Sequence, residues 1–318
     1  MRIWLLLLVT LALTMLALAA GRSWLCPVEL IQGMLAGPDG AGRMIWSLRL
    51  PRVIVGLVAG LGFGMAGAVF QSLLRNPLAS PDVIGLTQCA ALGAVAALLS
   101  GVPPMLGAWT GGLLAILALG WLASHPREGL APRAMVLQGL GLAILASAAT
   151  EALILRAGDG NASMAMAWLS GTLNGAGWPE ARRALWLLPL MLPLILAVRV
   201  LDRLELGDDL ARALGLRVGL LRTGLGLNAA LVAAGAVALC GPLGFVALAA
   251  GPVARWCSGG RPDPLVAGLV GAAFVTLADI LARSIAPAAL LPTGLYTALI
   301  GAPLLIFVVR QQARRETM

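Results

Sequence analysis

Long apolar runs dominate the chain and are interrupted by short stretches bearing Gly, Pro and Arg. About ten runs can be placed, at residues 3–20, 51–71, 83–99, 105–124, 134–155, 184–201, 223–240, 242–256, 264–283 and 295–310. Most approach the roughly 20 residues that a helix needs to cross the hydrocarbon core of a bilayer; the run 242–256 is short for that. Within hydrocarbon every backbone N–H and C=O must be paired internally, so spans are helices or closed barrels. The runs here are continuous and rich in Leu and Ala, which predicts helices. The expected architecture is all-α and integral to a membrane, with residues 1–318 forming one transmembrane domain and no loop long enough for a soluble one.

The first run has a second reading. Arg2 gives a charged start and Leu18-Ala19-Ala20-Gly21 resembles a small-residue cleavage site, as in a signal peptide. With this many later spans, a retained first helix is the more natural reading. Gly56, Gly60 and Gly64 lie along one helix face, and small residues at four-residue spacing let helix backbones approach closely. Gly268 and Ala272 repeat that spacing.

One polar stretch, Asp202 to Arg217, is the largest break in the apolar pattern. Leu206, Leu210, Ala213 and Leu214 recur at helical spacing, with Asp208, Asp209 and Arg212 between them. This predicts a short amphipathic helix ending near Gly215. Spacing alone favours a helix lying on the membrane surface; a docking helix for a cytoplasmic partner is the alternative.

Composition agrees with the membrane reading. Hydrophobic residues make up 60% of the chain and charged residues 11%, against about 25% in soluble domains, and mean hydropathy is +0.94. The net charge of +8 is carried entirely by arginine, because the chain has no lysine. That excludes a Walker A phosphate loop and a Schiff-base enzyme, both of which need a lysine amine. The single histidine, His125, sits in Ser124-His125-Pro126-Arg127, read as a solvated loop, so a multi-histidine metal site is excluded. No two of Cys26, Cys89, Cys240 and Cys257 form a CxxC pair, and the last three read as packing residues.

The arginines form no single basic stripe, so nucleic acid is not an expected partner; topology explains them better. With both termini in the cytoplasm, 14 of the 22 arginines fall inside, Arg127 among them, and 8 outside, including Arg22, Arg156 and Arg182. The direction agrees with the positive-inside rule. The outer cluster from Arg43 to Arg52 is a local violation. Trp168 and Trp178 flank an outer loop, where interfacial tryptophans are at home. Glu151 and Asp279 are the main intramembrane carboxylates and both lie near span ends. This argues against an ion-coupled secondary transporter, which usually carries carboxylates for the coupling ion. No mid-membrane set of His, Asp, Ser and Cys suggests an embedded enzyme. Glu151 either faces a pathway or pairs locally with Arg156, the local pair being favoured.

Four stretches give a sharper indication. They are Arg49-Leu50-Pro51-Arg52; Gln71 to Gly85, containing Arg75-Asn76-Pro77-Leu78-Ala79; Gly207-Asp208-Asp209-Leu210-Ala211-Arg212-Ala213-Leu214-Gly215; and Leu291-Pro292-Thr293-Gly294 followed by Gly301-Ala302-Pro303. Trp168-Leu169-Ser170-Gly171-Thr172-Leu173 adds a fifth, shorter one. In this order, over nearly the whole chain, they resemble the FecCD-type permeases of ABC importers, which carry iron–siderophore complexes, haem and cobalamin. One departure is visible: where the family has a Pro-His pair, Phe245-Val246-Ala247-Leu248 leads to Gly251-Pro252.

The resemblance implies a ten-helix permease of the cobalamin-importer type, located in a bacterial cytoplasmic membrane. It would pair with a second permease subunit, identical or sibling, with the pathway between them. Two ATPase subunits would sit on the cytoplasmic face and a substrate-binding protein outside. The permease would catalyse no bond chemistry and bind no cofactor directly, ATP and Mg residing on the ATPase. Arg49 and Arg52 would face the binding protein and pair with its carboxylates, with lipid contact or helix capping as the alternative. Arg283 is a third candidate, with Asp279 four residues earlier as a competing partner. The segment 207–217 would be the coupling helix on the ATPase, with Gly207, Asp208, Asp209, Arg212, Leu214 and Gly215 at the contact. Asn76, Pro77, Gly85, Pro292, Gly294, Gly301 and Pro303 carry the family pattern. An iron(III)–siderophore complex is the expected cargo, with haem and cobalamin as alternatives.

Overall fold

The computed structural model of the chain describes residues 2–21, 24–38, 42–122, 124–125, 129–130, 132–285 and 291–316. Arg22, Pro126 and Arg127, used above for topology, lie outside the described residues. Each apolar run becomes helical. The runs correspond to α1 (Arg2–Ala19), α3 (Leu50–Leu73), α4 (Leu86–Leu99), α5 (Pro104–Leu122), α6 (Pro132–Arg156), α8 to α10 (Trp178–Leu185, Leu187–Leu196, Val198–Glu205), α12 (Val218–Cys240), α13 (Val246–Cys257), α14 (Pro264–Ser284) and α15 (Thr293–Glu316). Between them lie α2 (Pro27–Leu35), α7 (Asp159–Leu169) and α11 (Asp208–Ala213), and a π-helical turn, Ile45–Arg49, leads into α3. Ser124–His125 pairs antiparallel with Gly129–Leu130, so the expected loop is instead flanked by a two-residue ladder.

By length and composition, five stretches among the described residues suffice to cross a membrane: Ile45–Leu73, Pro104–Leu122, Met135–Arg156, Val218–Cys240 and Pro264–Ser284. The expected sixth span is broken: Trp178–Leu196 and Val198–Glu205 meet at 48°. Pro193 lies inside α9, where it removes a helical donor and crowds the preceding turn, which weakens the helix just before the bend. The remaining apolar helices are shorter, α13 having 12 residues, or about 18 Å at 1.5 Å per residue.

α3 is the centre of the bundle, and α14, α12 and α13 pack around it. The small-residue faces read from the sequence make this contact. A Cβ added at Gly60 would stand 2.6 Å from the Cα of Ala272, and one at Gly64 would overlap the carbonyl of Ala267. Phe63, Met65 and Phe70 of the same helix are fully enclosed, and Met65 packs against Gly268 of α14. Lipid is as apolar as the helix surfaces, so such dense contact, rather than water exclusion, holds membrane helices together.

The residues of the family pattern serve the same packing. Asn76 Oδ1 accepts from the Leu78 N–H (2.9 Å) and shapes the turn before Ala79. Gly85 has φ 75° and lets α4 begin against the backbone of Gly139 and Ala143 on α6. Gly294 sits against the Ser170 carbonyl and Gly301 against Phe245, while Pro303 lies within α15. Pro77 belongs to the Asn76 turn and Pro292 immediately precedes α15.

Candidate functional site

Charged side chains collect at the two ends of α3. The helix has 24 residues, about 36 Å, so the two clusters are separated by roughly a bilayer core of ~30 Å.

At the first end, α3 begins beside the last turns of α1 and α14. Arg52 grips Asp279 through Nε and Nη2 at 3.0 and 2.7 Å, and Arg283 Nε lies 3.0 Å from Asp279 Oδ2. Thr293 Oγ1 donates to the same carboxylate at 3.3 Å. Arg49 is only 5% exposed; its Nη1 donates to the carbonyls of Leu18 (2.7 Å) and Ala19 (2.6 Å). Arg283 donates to Ala20 (3.0 Å) and Ala17 (3.1 Å). The last four carbonyls of a helix have no partner within it and carry its negative dipole end. Two guanidinium groups therefore cap α1. For Arg49 this is the helix capping named as the alternative to docking. In the isolated chain Arg49, Arg52 and Arg283 are engaged inside it, and the Asp279–Arg283 pair allowed by their spacing is formed.

At the opposite end, α10 stops at Glu205 and the chain turns through Gly207 (φ 113°) into α11, then leaves it through Gly215 (φ 82°). Both angles favour glycine, which explains the two glycines bounding this helix. The observed helix, Asp208–Ala213, is shorter than the expected 207–217. Asp208 pairs with Arg75, and it accepts from Arg222 at 2.9 and 3.1 Å. Hydrogen bonding from Arg222 holds the Asp208 carboxyl below its ordinary range, assisted by the charges of Arg222 and Arg75 against partial burial. Arg212 lies 3.1 Å from Asp209. Arg255 Nη1 reaches Glu205 at 3.0 Å and Nη2 reaches Ser72 Oγ at 3.1 Å, while Arg75 Nε donates to the Leu204 carbonyl at 3.0 Å. These bonds tie the ends of α3, α10, α12 and α13 to the base of α11.

The outer side of α11 is open. Ala211 is buried against the bundle, whereas Leu206, Leu210 and Leu214 are exposed, Leu210 by 58%. Asp209 is fully solvated. Of the expected contact residues, Asp209, Arg212 and Leu214 are presented, while Asp208 is committed to two helices of its own chain. Glu151 lies exposed on α6, and among the described residues it forms no ion pair with Arg156, so the favoured local pair is not found. Arg75, Arg222, Arg255 and Glu205 were not singled out as partners from sequence. Their mates are 50 to 133 positions away except for Arg222, 14 residues from Asp208.

Comparison with known proteins gives a consistent result. The model of the FecCD transport family matches residues 7–311. The Fe(3+)-citrate import system permease protein of Bacillus subtilis (strain 168) is 33% identical, over 97% of this chain and 94% of its own. The Fe(3+) dicitrate transport system permease protein of Escherichia coli (strain K12) is 36% identical over 97% and 99%. A vitamin B12 import system permease protein of Salmonella typhi is 32% identical over 96% and 94%. Among solved structures, an inward-facing metal-chelate type ABC transporter superimposes with a TM-score of 0.79, at 27% identity, over 97% of this chain and 98% of that one.

Proposed function

The chain belongs to the FecCD transport family, and from that membership we propose that it is the permease subunit through which an ABC importer moves a ferric chelate of the citrate or siderophore type into the cell. The single observation that carries the mechanism is α11. A short helix held at its base by ion pairs, with Leu206, Leu210 and Leu214 unburied, is built to be gripped by a partner. In this reading the partner is an ATPase subunit, which holds the ATP and Mg and performs the bond chemistry. Its closure pushes on α11, and Asp208 passes the displacement to Arg222 on α12 and Arg75 at the end of α3.

The α11 end is then cytoplasmic, with both termini on that side, and the arginine end faces outward from a bacterial inner membrane. Residues 1–318 act as one permease domain, paired with a second permease subunit. Docking of a substrate-binding protein falls at the arginine end. Asp279 already occupies Arg52 and Arg283 there, so a carboxylate of the binding protein has to draw one of them away from it. A carboxylate facing lipid is costly, and intramembrane acids mark pathways. The exposure of Glu151 supports a reading in which that face of α6 turns toward the pathway or the second subunit.

The relatives that import iron citrate favour a ferric chelate, and the vitamin B12 relatives supply the competing cargo. The test is ATP-dependent uptake in proteoliposomes containing this chain, its ATPase and its binding protein, offered labelled ferric citrate, a ferric siderophore, cobalamin and haem. Uptake of a ferric chelate supports the reading. Uptake of cobalamin or haem alone keeps the transporter and overturns the cargo. Uptake that survives ATP depletion and collapses with the proton gradient overturns the importer class.

A further inference from the structure

A cavity of about 410 Å³ lies between the ends of α3, α5, α6 and α12, near α11 but apart from it. Its size falls within the roughly 300–1,000 Å³ typical of small-ligand pockets. Ile116, Leu117, Met135 and Leu227 give it apolar walls, and Gly120, Trp121 and Arg222 line it closer to the bundle end. Leu117 is exposed, and Trp121, the penultimate residue of α5, is 80% exposed, so the cavity is bordered by exposed apolar surface of a helix long enough to span a membrane. An exposed Trp at the end of a span marks headgroup depth. Arg222, in the second turn of α12, is 9% exposed; Asp208 satisfies both of its Nη atoms, but Nε has no hydrogen-bond partner among the described residues. A buried donor left without an acceptor calls for a missing one. The cavity thus joins an apolar slot to one unsatisfied cationic donor at its shallow end, which is the shape and polarity of an amphiphile.

We propose that this cavity holds one acyl chain of a bilayer phospholipid, with a phosphate or ester oxygen of the same lipid accepting from the Arg222 guanidinium. Such a lipid touches the residue that anchors α11 and so links bilayer composition to the base of that helix. The site depends only on the membrane character of the chain and stands whether or not the cargo assignment holds.

The test uses the full chain in nanodiscs of phosphatidylglycerol doped with the same lipid carrying a photoreactive acyl chain, with cross-links mapped by peptide mass spectrometry. Labels are expected on residues 116–120 and 223–227. In Gly120→Leu the added side chain starts in open space, because a Cβ there meets no atom of the described residues within 4 Å, and it then fills the slot. Labelling of these two segments should fall roughly tenfold while that of exposed Leu220 is unchanged. Arg222→Lys keeps a charge for Asp208 but lacks Nε–H; loss of one charge-assisted bond should lower labelling about tenfold. Unlabelled cavity segments, or labelling that Gly120→Leu leaves intact, overturn the site. Labelling insensitive to Arg222→Lys overturns the headgroup contact.

Discussion

The two ends of α3 use the same chemistry, arginine against carboxylate, to opposite effect. At the arginine end one carboxylate, Asp279, serves two guanidiniums, and the surplus donors cap α1. Arg49, Arg52 and Arg283 are turned inward, and their charges act as internal fasteners in a place where apolar packing alone would leave helix carbonyls unpaired. At the α11 end Asp208 and Glu205 anchor a helix whose leucines point away from the bundle. Burial decides the difference. A charge removed from water must be paired or it is very costly; an arginine is enclosed at each end, but the Asp279 side chain is only 4% exposed whereas that of Asp208 keeps 26% in contact with water, so its pair is the easier one to open. In the proposed reading the first end resists change and the second transmits it.

Breaking the buried carboxylate should have the largest effect. Asp279→Ala leaves Arg52 and Arg283 enclosed without their counter-charge, a loss of about 3–5 kcal/mol, seen as poor yield and a lowered unfolding midpoint in detergent. Arg49→Ala removes half of the α1 cap; charged hydrogen bonds are worth about 1.5–3 kcal/mol, so unfolding should shift by less and α1 should lose hydrogen-exchange protection first. Asp208→Asn should cost less than Asp279→Ala, because the Asp208 side chain is 26% exposed against 4% for Asp279, yet depress uptake strongly because α11 loses its tether to the largely buried Arg222 on α12. If instead Asp208→Asn destabilises the protein as much as Asp279→Ala, the contrast between the ends disappears. Acidity offers a gentler probe. The folded-state pKa of Asp208 is depressed, so its contribution is complete above the unfolded value near 4 and is lost as pH falls through the lower folded value. Protection factors in α11 should therefore hold from pH 7 to about 5 and decline only below ~4. The smallest effect is expected for Asp209→Asn, which should leave the unfolding midpoint unchanged because that carboxylate is solvated.

Much of this was legible in the sequence, and for physical reasons. The hydrocarbon requirement makes each span a long apolar run, so the five stretches long enough to cross were readable, and the Gly60 and Gly64 spacing marked a close-packing face whose partner, α14, only the structure shows. The glycines bounding α11 were readable because positive φ selects glycine. What sequence did not show was where charges go. Arg49 and Arg52 look like exposed cations in a linear reading, since nothing local reveals that the carbonyls of Ala17 to Ala20 and a carboxylate more than 200 residues away will meet them. The bend after Pro193 and the missing Glu151–Arg156 pair were hidden for the same reason: tertiary packing, not spacing, fixes them.

The most direct test of the account replaces Gly207 to Gly215 by a Gly-Ser stretch and measures uptake and ATP hydrolysis together in the assembled transporter. Intact assembly, with ATP hydrolysis retained but ferric-chelate uptake abolished, is the predicted result. Uptake at the level of the native protein would show that α11 transmits nothing and would contradict the account at its centre.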